Sequence, residues 1–297
     1  YQKAVQKYLA DNPHDLIHST LPFDFVDIYH PMGGSYKESY LRNASSYPGT
    51  LMPLWKRQTH FLNRRRTVYM KAEVQLCRRE RISIAALSAY VKRQFIEHYE
   101  VSDERIHLIP NGVEVNICVS SEAVETERKK IFQALQIRDQ ARTTILLFGA
   151  NNFRLKGLGD LLSALAAYRR AGRESRLTLL IAGTENPKPW LKQAHNLGIE
   201  RDIWFYGYTK DIHPLLSVID AAVLPSYYDP CSRYILEALS MGKPVLTTRY
   251  NGASEYYQHL RHGIILDSPR HQEDFVKGLI FLSQPKNQQA AAEAINQ

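Results

Sequence analysis

Two positively charged side chains stand in a short loop of the sequence, between an apolar run and a glycine. The run Ile145–Gly149 has the length of a buried strand, and Arg154 and Lys156 follow it just before Gly157. Fixed cations at the end of a strand can bind a diphosphate and stabilise negative charge that develops on it. Exposed Arg and Lys side chains are commonly only solvated, so this loop alone leaves that interpretation open.

A second group of residues combines two carboxylates with the start of a helix. Asp229 precedes a predicted helix at 232–241, and Glu237 lies eight residues later among apolar neighbours. The first turn of a helix exposes backbone N–H groups that favour an anion. A carboxylate in apolar surroundings needs a partner, and a ribose diol or a structural salt bridge would each provide one.

Regular alternation of strands and helices places these loops. The predicted strands are Ile145–Gly149, Leu177–Ala182, Ile203–Tyr206, Ala221–Leu224, Pro244–Thr247 and Gly263–Leu266. The predicted helices lie at about 157–170, 189–197, 211–217, 232–241 and 270–283. Repeated strand–helix units predict a parallel sheet with helices on both faces. Ligands of such sheets bind beyond the carboxyl ends of the strands, where both charged loops begin.

The first part of the chain contains fewer such units. Its predicted strands are Leu16–Thr20, Ile82–Leu87 and Ile106–Ile109, and its predicted helix is Ser88–Tyr99 with Ser88 as N-cap. We therefore expect an α/β protein with two Rossmann-like, doubly wound domains. Residues 1–112 form the first, incomplete at its N-terminus, 113–142 a linker with a short helix, and 143–297 the second, truncated at its C-terminal end.

Composition excludes several classes of protein. The chain has 297 residues, 44% of them hydrophobic and 23% charged, which is typical of globular domains and excludes wholesale disorder. Since no run of apolar residues is long enough to cross a bilayer, we expect no membrane-spanning helix. Three widely spaced cysteines exclude a disulfide scaffold and a cysteine-based zinc site, and they fit a reducing cytosol.

Positive charge is concentrated in residues 51–93. This basic segment has eleven Lys and Arg against two Glu, a net charge of +9 in a chain of net charge +8. Such a patch predicts an anionic partner, although a solvated helix face is the ordinary alternative. Interleaved Trp55, Phe61, Leu62, Tyr69 and Met70 favour an interfacial helix on acidic lipid, and RNA would also suit the mixture.

These motifs resemble those of the retaining GT-B glycosyltransferases of family 4. Asp229-x7-Glu237 is similar to the E-x7-E motif of that family, and Arg154-Leu155-Lys156-Gly157 to its basic diphosphate loop. The resemblance covers essentially the whole chain. Within that family, the lipopolysaccharide core glucosyltransferase I subgroup is the most similar. The residues that carry this similarity are Asp27–His30, Tyr99–Gly112 and Phe205–Gly207.

The resemblance implies a role for each matching residue. Lys156, helped by Arg154, would bind the donor diphosphate, and Glu237 would hold the ribose hydroxyls. Asp229 would orient the transferred sugar, and His30 would face the donor sugar or the acceptor. Further donor contacts are expected from Gly149, Gly183, Gly207, Tyr208 and the backbone N–H groups of Ser232, Arg233 and Tyr234.

The sequence departs from the family pattern at several positions. Asp229 replaces the first Glu and shortens its reach by one methylene, and Ser232 stands where the family usually has Gly. An acidic residue of the subgroup is absent near Gly33. The glycine-rich loop that opens the first domain of the family does not occur in this sequence.

The implied function is retaining hexose transfer, with glucose moving from UDP-glucose to a glycan or glycolipid such as a lipopolysaccharide core sugar. No metal or other cofactor is expected, because Lys156, Arg154 and the helix N-terminus can stabilise the departing diphosphate. We expect the protein on the cytoplasmic face of the membrane, where residues 51–93 would bind the anionic lipid surface. No nucleic-acid partner is expected.

Three alternatives stay open at this point. One is another enzyme of the same architecture, a nucleotide-sugar epimerase or a sugar phosphorylase. Another is a basic membrane- or nucleic-acid-binding module with a degenerate site. The last is a relative that binds the donor without turning it over.

Overall fold

Two parallel β-sheets organise the chain in the computed structural model, which describes residues 2–59, 63–115, 117–172 and 175–296. Each sheet lies in its own unit. The first unit comprises Tyr1–Asn111 and Tyr228–Cys231, and the second comprises Gly112–Tyr227 and Ser232–Gln297. Residues 228–231 thus lie in the first unit, whereas the sequence analysis places 143–297 in one domain.

The first unit holds a parallel sheet in the order β1-β2-β3-β4. Its strands are β1 (His18–Ser19), β2 (Ile28–Tyr29), β3 (Ser83–Ala86) and β4 (Ile106–Leu108). Its helices are α1 (Gln2–Asp11), α2 (Tyr36–Ser45), α3 (Leu51–Gln58), α4 (Arg64–Cys77) and α5 (Ala89–Tyr99). A core that includes Val26, Tyr29, Ile84 and Phe95, all fully buried, holds α4 and α5 on the sheet.

The second unit begins with α6 (Ser121–Ala134) and continues into a longer sheet in the order β10-β9-β8-β5-β6-β7. Its strands are β5 (Thr143–Gly149), β6 (Arg176–Ala182), β7 (Ile203–Gly207), β8 (Ala221–Leu224), β9 (Val245–Thr248) and β10 (Gly263–Leu266). Its other helices are α7 (Leu158–Arg170), α8 (Lys188–Asn196), α9 (His213–Val218), α10 (Arg233–Ser240), α11 (Gln272–Leu282) and α12 (Pro285–Ile295).

The strand order of the second sheet reverses beside β5. After β5 the chain proceeds outward through β6 and β7, then returns to the other side of β5 and proceeds through β8, β9 and β10. All these pairs are parallel. The loops after β5 and β8 therefore diverge from neighbouring strands, and this crevice is where open parallel sheets bind ligands.

The observed elements agree with the sequence analysis in the second unit and less well in the first. The strands and the helices α7–α11 of the second unit begin and end within two residues of the predicted positions. In the first unit, α1 to α4 and β2 are not predicted, because their apolar residues are too few or too irregularly spaced for a clear period. The linker helix α6 is longer than expected, at 14 residues.

The basic segment 51–93 forms several elements instead of one interfacial helix. It comprises α3, α4, β3 and the first turn of α5, and Phe61 and Leu62 lie outside the described residues. Among the described residues, none of the helices combines the length and apolarity needed to cross a bilayer.

Candidate functional site

The loop after β5 is held by one buried aromatic ring. Phe153 is 1% exposed and packs edge-on against Phe148 and Trp190, with ring centroids 5.7 and 6.2 Å away. Its N–H donates to the Glu185 carboxylate in the loop after β6. The two cations that follow Phe153 are thus attached to a fixed backbone, as a preorganised anion site requires.

Arg154 and Lys156, both half-buried, occupy a tight turn that leads into α7. The Lys156 N–H donates to Asn152 O at 3.0 Å, and the Gly157 N–H donates to Arg154 O at 3.1 Å. Gly157 has a φ of +80°, and a Cβ there would lie 2.1 Å from the carbonyl oxygen of Pro225. Glycine is therefore required both for the backbone conformation and for the approach of the next loop.

The loops after β5 and β8 are joined directly. The Tyr227 N–H donates to Leu155 O at 2.9 Å, which ties the start of the β8 loop to the residue between the two cations. The Tyr227 hydroxyl donates to Asp160 at 2.9 Å and accepts from Arg270 Nε at 3.2 Å. Burial raises the pKa of the Asp160 carboxyl and that of the Tyr227 hydroxyl. The second unit thus fixes both sides of the crevice beside β5.

Helix α10 begins at this crevice, but one of its expected donors is already used. The Ser232 N–H donates to Asn251 Oδ1 at 3.1 Å, and the Ser232 hydroxyl accepts from the Ile235 N–H at 3.4 Å. The Ser232 N–H is thus engaged within the second unit, and its expected contact with phosphate or sugar stays a prediction. As N-cap, Ser232 leaves Arg233 and Tyr234 to supply the first N–H groups of the helix.

The Tyr234 ring packs against the backbone of Gly149 at the end of β5. The Tyr234 hydroxyl donates to Leu147 O at 2.5 Å, and burial raises its pKa well above the ordinary value. A Cβ at Gly149 would lie 3.1 Å from the Tyr234 ring. The missing side chain of Gly149 thus makes room for Tyr234, which seats the first turn of α10 against the end of β5.

Glu237 lies on α10 with its side chain 17% exposed, next to the more exposed Arg233, whose Nη2 is 3.5 Å from Glu237 Oε1. Burial raises the pKa of Glu237, and the charges of Arg233 and His213 oppose that rise. An exposed i,i+4 pair of this length contributes about 0.5 kcal/mol or less to stability. The carboxylate is therefore held only weakly and keeps acceptor capacity for a ligand.

The glycine loops after β6 and β7 meet each other. The Gly183 N–H donates to Gly207 O at 2.9 Å. A Cβ at Gly183 would lie 1.9 Å from Ala150 O, so this loop also packs on the start of the β5 loop. Tyr208, directly after β7, is 66% exposed.

Two of the predicted catalytic residues lie in the first unit. His30 follows β2, and its ring stacks on His18 with centroids 5.5 Å apart. Its Nε2 is buried and has no hydrogen-bond partner within the described ranges. Burial, then the neighbouring His18, lowers the pKa of His30, so the neutral ring is favoured. Asp229 is 9% exposed, and its Oδ1 accepts from the Cys231 N–H at 3.2 Å.

Several residues of this region have no distinct signal in the sequence. Asn251 is fully buried and bonds Ser232, Ala253 and Thr247 at 3.1, 3.1 and 3.0 Å. Glu185 fixes Phe153, and His213 lies within electrostatic range of Glu237. Only their positions after β9, β6 and β7 indicate in the sequence that they lie near a ligand site, since ligand loops follow the carboxyl ends of strands.

Known proteins that are similar to this chain include a family of glycosyl transferases and individual members of it. The family model described as "Glycosyl transferases group 1" matches residues 142–295. Lipopolysaccharide glucosyltransferase WaaG of Escherichia coli K12 is 24% identical over 273 residues, which cover 92% of this chain and 69% of that protein. A glycosyltransferase of Methanocaldococcus jannaschii, 24% identical over 191 residues, is covered over 47% of its length.

Solved structures agree on the fold. A crystal structure of WaaG has a TM-score of 0.76 at 24% identity, covering 98% of this chain and 75% of that one. Anabaena HepE in complex with UDP-glucose has a TM-score of 0.67 at 20% identity, covering 100% of this chain and 70% of that one. The expectation of a GT-B α/β fold with two parallel sheets is confirmed, and the chain belongs to the glycosyl transferases group 1 family.

Proposed function

We propose that this chain transfers a hexose from a nucleoside diphosphate sugar to a glycan or glycolipid acceptor, with retention of configuration and without a metal. Glucose from UDP-glucose is the first donor to test, since HepE is described with that ligand and WaaG as a lipopolysaccharide glucosyltransferase. The observation that carries the proposal is the crevice beside β5. There the loop of Arg154 and Lys156 is bonded to the loop that leads to α10.

The chemistry follows from what these groups can stabilise. In the transfer, the bond between the anomeric carbon and the β-phosphate oxygen breaks, and a bond to an acceptor hydroxyl oxygen forms. The negative charge that develops on the β-phosphate meets Lys156, Arg154 and the N–H groups at the start of α10. Glu237 offers a carboxylate to two adjacent ribose hydroxyls, an arrangement that charge-assisted hydrogen bonds favour. The acceptor proton leaves with the departing phosphate.

Ligand binding tests the donor assignment. A ligand at 100 times its dissociation constant adds about 2.7 kcal/mol to the stability of the folded state. A thermal-shift panel of UDP, GDP, ADP and TDP sugars therefore identifies the nucleotide base that the protein binds. We expect UDP and UDP-glucose to raise Tm, in EDTA as in magnesium. Release of UDP and an α-configured product then test turnover and retention. A pure interaction module would show no shift with any nucleotide, and a phosphorylase would show the absorption band of pyridoxal phosphate.

Exposed side chains of the first unit support the proposal that the acceptor is membrane-bound. On α3, the side chains of Leu51 and Trp55 are 80% and 52% exposed. Next to α4, a groove of about 430 Å³ has a mainly apolar lining, with Arg64 and Arg65 among its residues. Exposed apolar residues beside cations are typical of a surface that rests on anionic lipid.

Three cations of the basic segment are ion-paired within the first unit, and we leave them out of the proposed contact. Arg79, Arg81 and Lys92 form ion pairs of 3.4, 3.5 and 2.8 Å with acidic side chains of the same unit. The proposed membrane surface therefore comprises α3 and the first half of α4. About 1 kcal/mol for each cation near an anionic bilayer makes the binding sensitive to salt.

Vesicle co-sedimentation tests this surface. We expect binding to anionic vesicles at low salt, and its loss when Lys56, Arg57, Arg64 and Arg65 are changed to Gln. A matched control removes the same charge from the second unit by changing Lys129, Lys188, Lys192 and Lys286 to Gln, and it should keep binding. Equal binding to neutral and anionic vesicles, or equal losses in both variants, would overturn the membrane surface while leaving donor binding untouched.

A further inference from the structure

A buried tyrosine directly before Asp229 is fixed by an amide of α5. The side chain of Tyr228 is 3% exposed, and its hydroxyl donates to Gln94 Oε1 at 3.0 Å. Its ring packs edge-on against Tyr90, with centroids 6.0 Å apart. Gln94, itself 3% exposed, thus binds a residue that lies 134 positions away in the sequence.

The same amide oxygen also holds the loop that follows His30. The Ser35 N–H, at the N-cap of α2, donates to Gln94 Oε1 at 3.1 Å. Gly34, one residue earlier, has a φ of +67°, and a Cβ there would lie 1.9 Å from the Tyr228 hydroxyl oxygen. Position 34 must therefore be glycine for Tyr228 to reach Gln94.

The rest of the segment 228–231 is fastened to the first unit as well. The Ser88 hydroxyl donates to Pro230 O at 2.7 Å, and Asn111 Nδ2 donates to Cys231 O at 2.8 Å. The Cys231 N–H in turn donates to Asp229 Oδ1. The carboxylate of Asp229 is thus oriented by a backbone that the first unit holds on both sides.

The two ends of the Gln94 amide differ in their hydrogen bonding. Gln94 Nε2 is buried and has no hydrogen-bond partner among the residues that the structure describes. A buried N–H without a partner costs free energy, but a leucine would remove the acceptor that the buried Tyr228 hydroxyl and Ser35 N–H share. What the amide adds is one oxygen that accepts from Tyr228 and Ser35 together.

We propose that Gln94 and Tyr228 are positioning residues for sugar transfer, joining the loop of His30 to the loop of Asp229. The inference rests on the proposed function, in which both loops serve the transferred sugar. Both side chains are 3% exposed, and we assign them a role through the two loops that they join. Because a displacement of about 1 Å in a reacting group lowers rates about 100-fold, loss of the shared hydrogen bonds is expected to act on turnover.

The test is Tyr228→Phe, which keeps the ring and removes only the hydroxyl. We expect kcat for UDP release from UDP-glucose to fall at least tenfold, while the KM for UDP-glucose and the Kd for UDP change less than twofold. The matched control is Tyr257→Phe, which also removes a buried tyrosine hydroxyl, bonded to Ile264 O at 2.8 Å in the second unit. It should lower Tm by a similar amount and leave kcat unchanged.

A double variant separates this pair from general damage. Gln94→Leu with Tyr228→Phe should lower kcat no more than Gln94→Leu alone, because both remove the same bond. Unchanged kcat in Tyr228→Phe, or equal losses of kcat in the Tyr257→Phe control, would overturn the proposal. Absence of UDP binding in the unsubstituted chain would instead overturn the proposed function.

Discussion

The two sheets of this protein fix their loops in different ways. In the second unit, β5 and β6 have seven residues each and are almost wholly buried, and backbone hydrogen bonds carry their register into the loops. In the first unit, β1 and β2 have two residues each. Such short strands cannot orient a loop by themselves, so buried polar side chains take over that task.

Two buried carboxylates of the first unit illustrate this device. Glu38 accepts hydrogen bonds from Arg42, His98 and Tyr90 at 2.6, 2.8 and 3.1 Å. Burial acts to raise its pKa, but the bonds from His98 and Arg42 outweigh it and lower the pKa to about 2. The anion of Glu38 thus ties α2 to α5.

Glu73 shows the opposite balance. It is fully buried and accepts from the Tyr29 hydroxyl at 2.9 Å, the Tyr36 N–H at 2.8 Å and the Tyr99 hydroxyl. Burial here outweighs those bonds and raises the pKa to about 7. The Arg42 guanidinium and His98 within bonding distance thus favour the charged form of Glu38, whereas the hydroxyl and N–H donors of Glu73 do not offset its burial.

The largest expected effect concerns the second unit. We predict that Lys156→Ala lowers kcat about 100- to 1000-fold, because loss of one group that stabilises a developing anion costs about 2.7–4 kcal/mol. The fold should persist, since the Lys156 side chain is only half-buried. Lys192→Ala, on the exposed face of α8, is the control and should keep the rate of UDP release. Unchanged turnover in Lys156→Ala would remove this lysine from the mechanism.

The next effect concerns the first unit and depends on pH. Because the pKa of Glu38 is lowered in the folded state, its ionised form stabilises the fold at any pH above 4.5, the ordinary pKa of glutamate. This stabilisation is lost as pH falls toward 2. Glu38→Gln should therefore cost of the order of 2–3 kcal/mol at pH 7 and little at pH 2. Urea unfolding at both values measures it, and a cost that does not change with pH would refute the assigned pKa.

Glu73 should respond in the reverse direction. The folded state keeps its proton up to about pH 7, while the unfolded chain releases it near 4.5. This contribution to stability is complete below pH 4.5 and is lost as pH rises to 7. In Glu73→Gln, the slope of Tm against pH in that window should flatten. A slope equal to that of the unsubstituted chain would show that Glu73 is ionised throughout.

A smaller effect is expected at Glu237. The amide in Glu237→Gln keeps the shape and loses the charge-assisted bonds to the ribose, so UDP affinity should fall by about 1.5–3 kcal/mol, or roughly 10- to 100-fold. The ion pair with the exposed Arg233 contributes too little for Tm to change greatly. Calorimetric titration measures the affinity. A collapse of Tm with unchanged affinity would identify Glu237 as a structural residue.

The same contrast explains what the sequence could predict. Buried parallel strands are continuous apolar runs, so the strands of the second unit, the loop of Lys156 and the helix of Glu237 can be located from the sequence. In the first unit, β1 lies within the predicted strand Leu16–Thr20, but the two-residue strand β2 has no period to detect. Asn251 and Gln94 act through partners 19 and 134 residues away, and polar residues of this kind have no local pattern. Tertiary packing alone gives them their roles.

The smallest expected effect compares one capping bond in each unit. Ser35 caps α2 by accepting from the Glu38 N–H at 3.1 Å and is fully buried, whereas Ser120 caps α6 by accepting from the Ala123 N–H at 3.2 Å and is exposed. Loss of an N-cap side chain costs about 0.5–2 kcal/mol. Water can replace the lost acceptor at Ser120 but not at Ser35, so Ser120→Ala should lie near the lower limit and Ser35→Ala near the upper one. Urea unfolding followed by circular dichroism measures both. Equal costs would mean that the polar network of the first unit adds nothing to the local bond, and that its short strands are positioned by apolar packing instead.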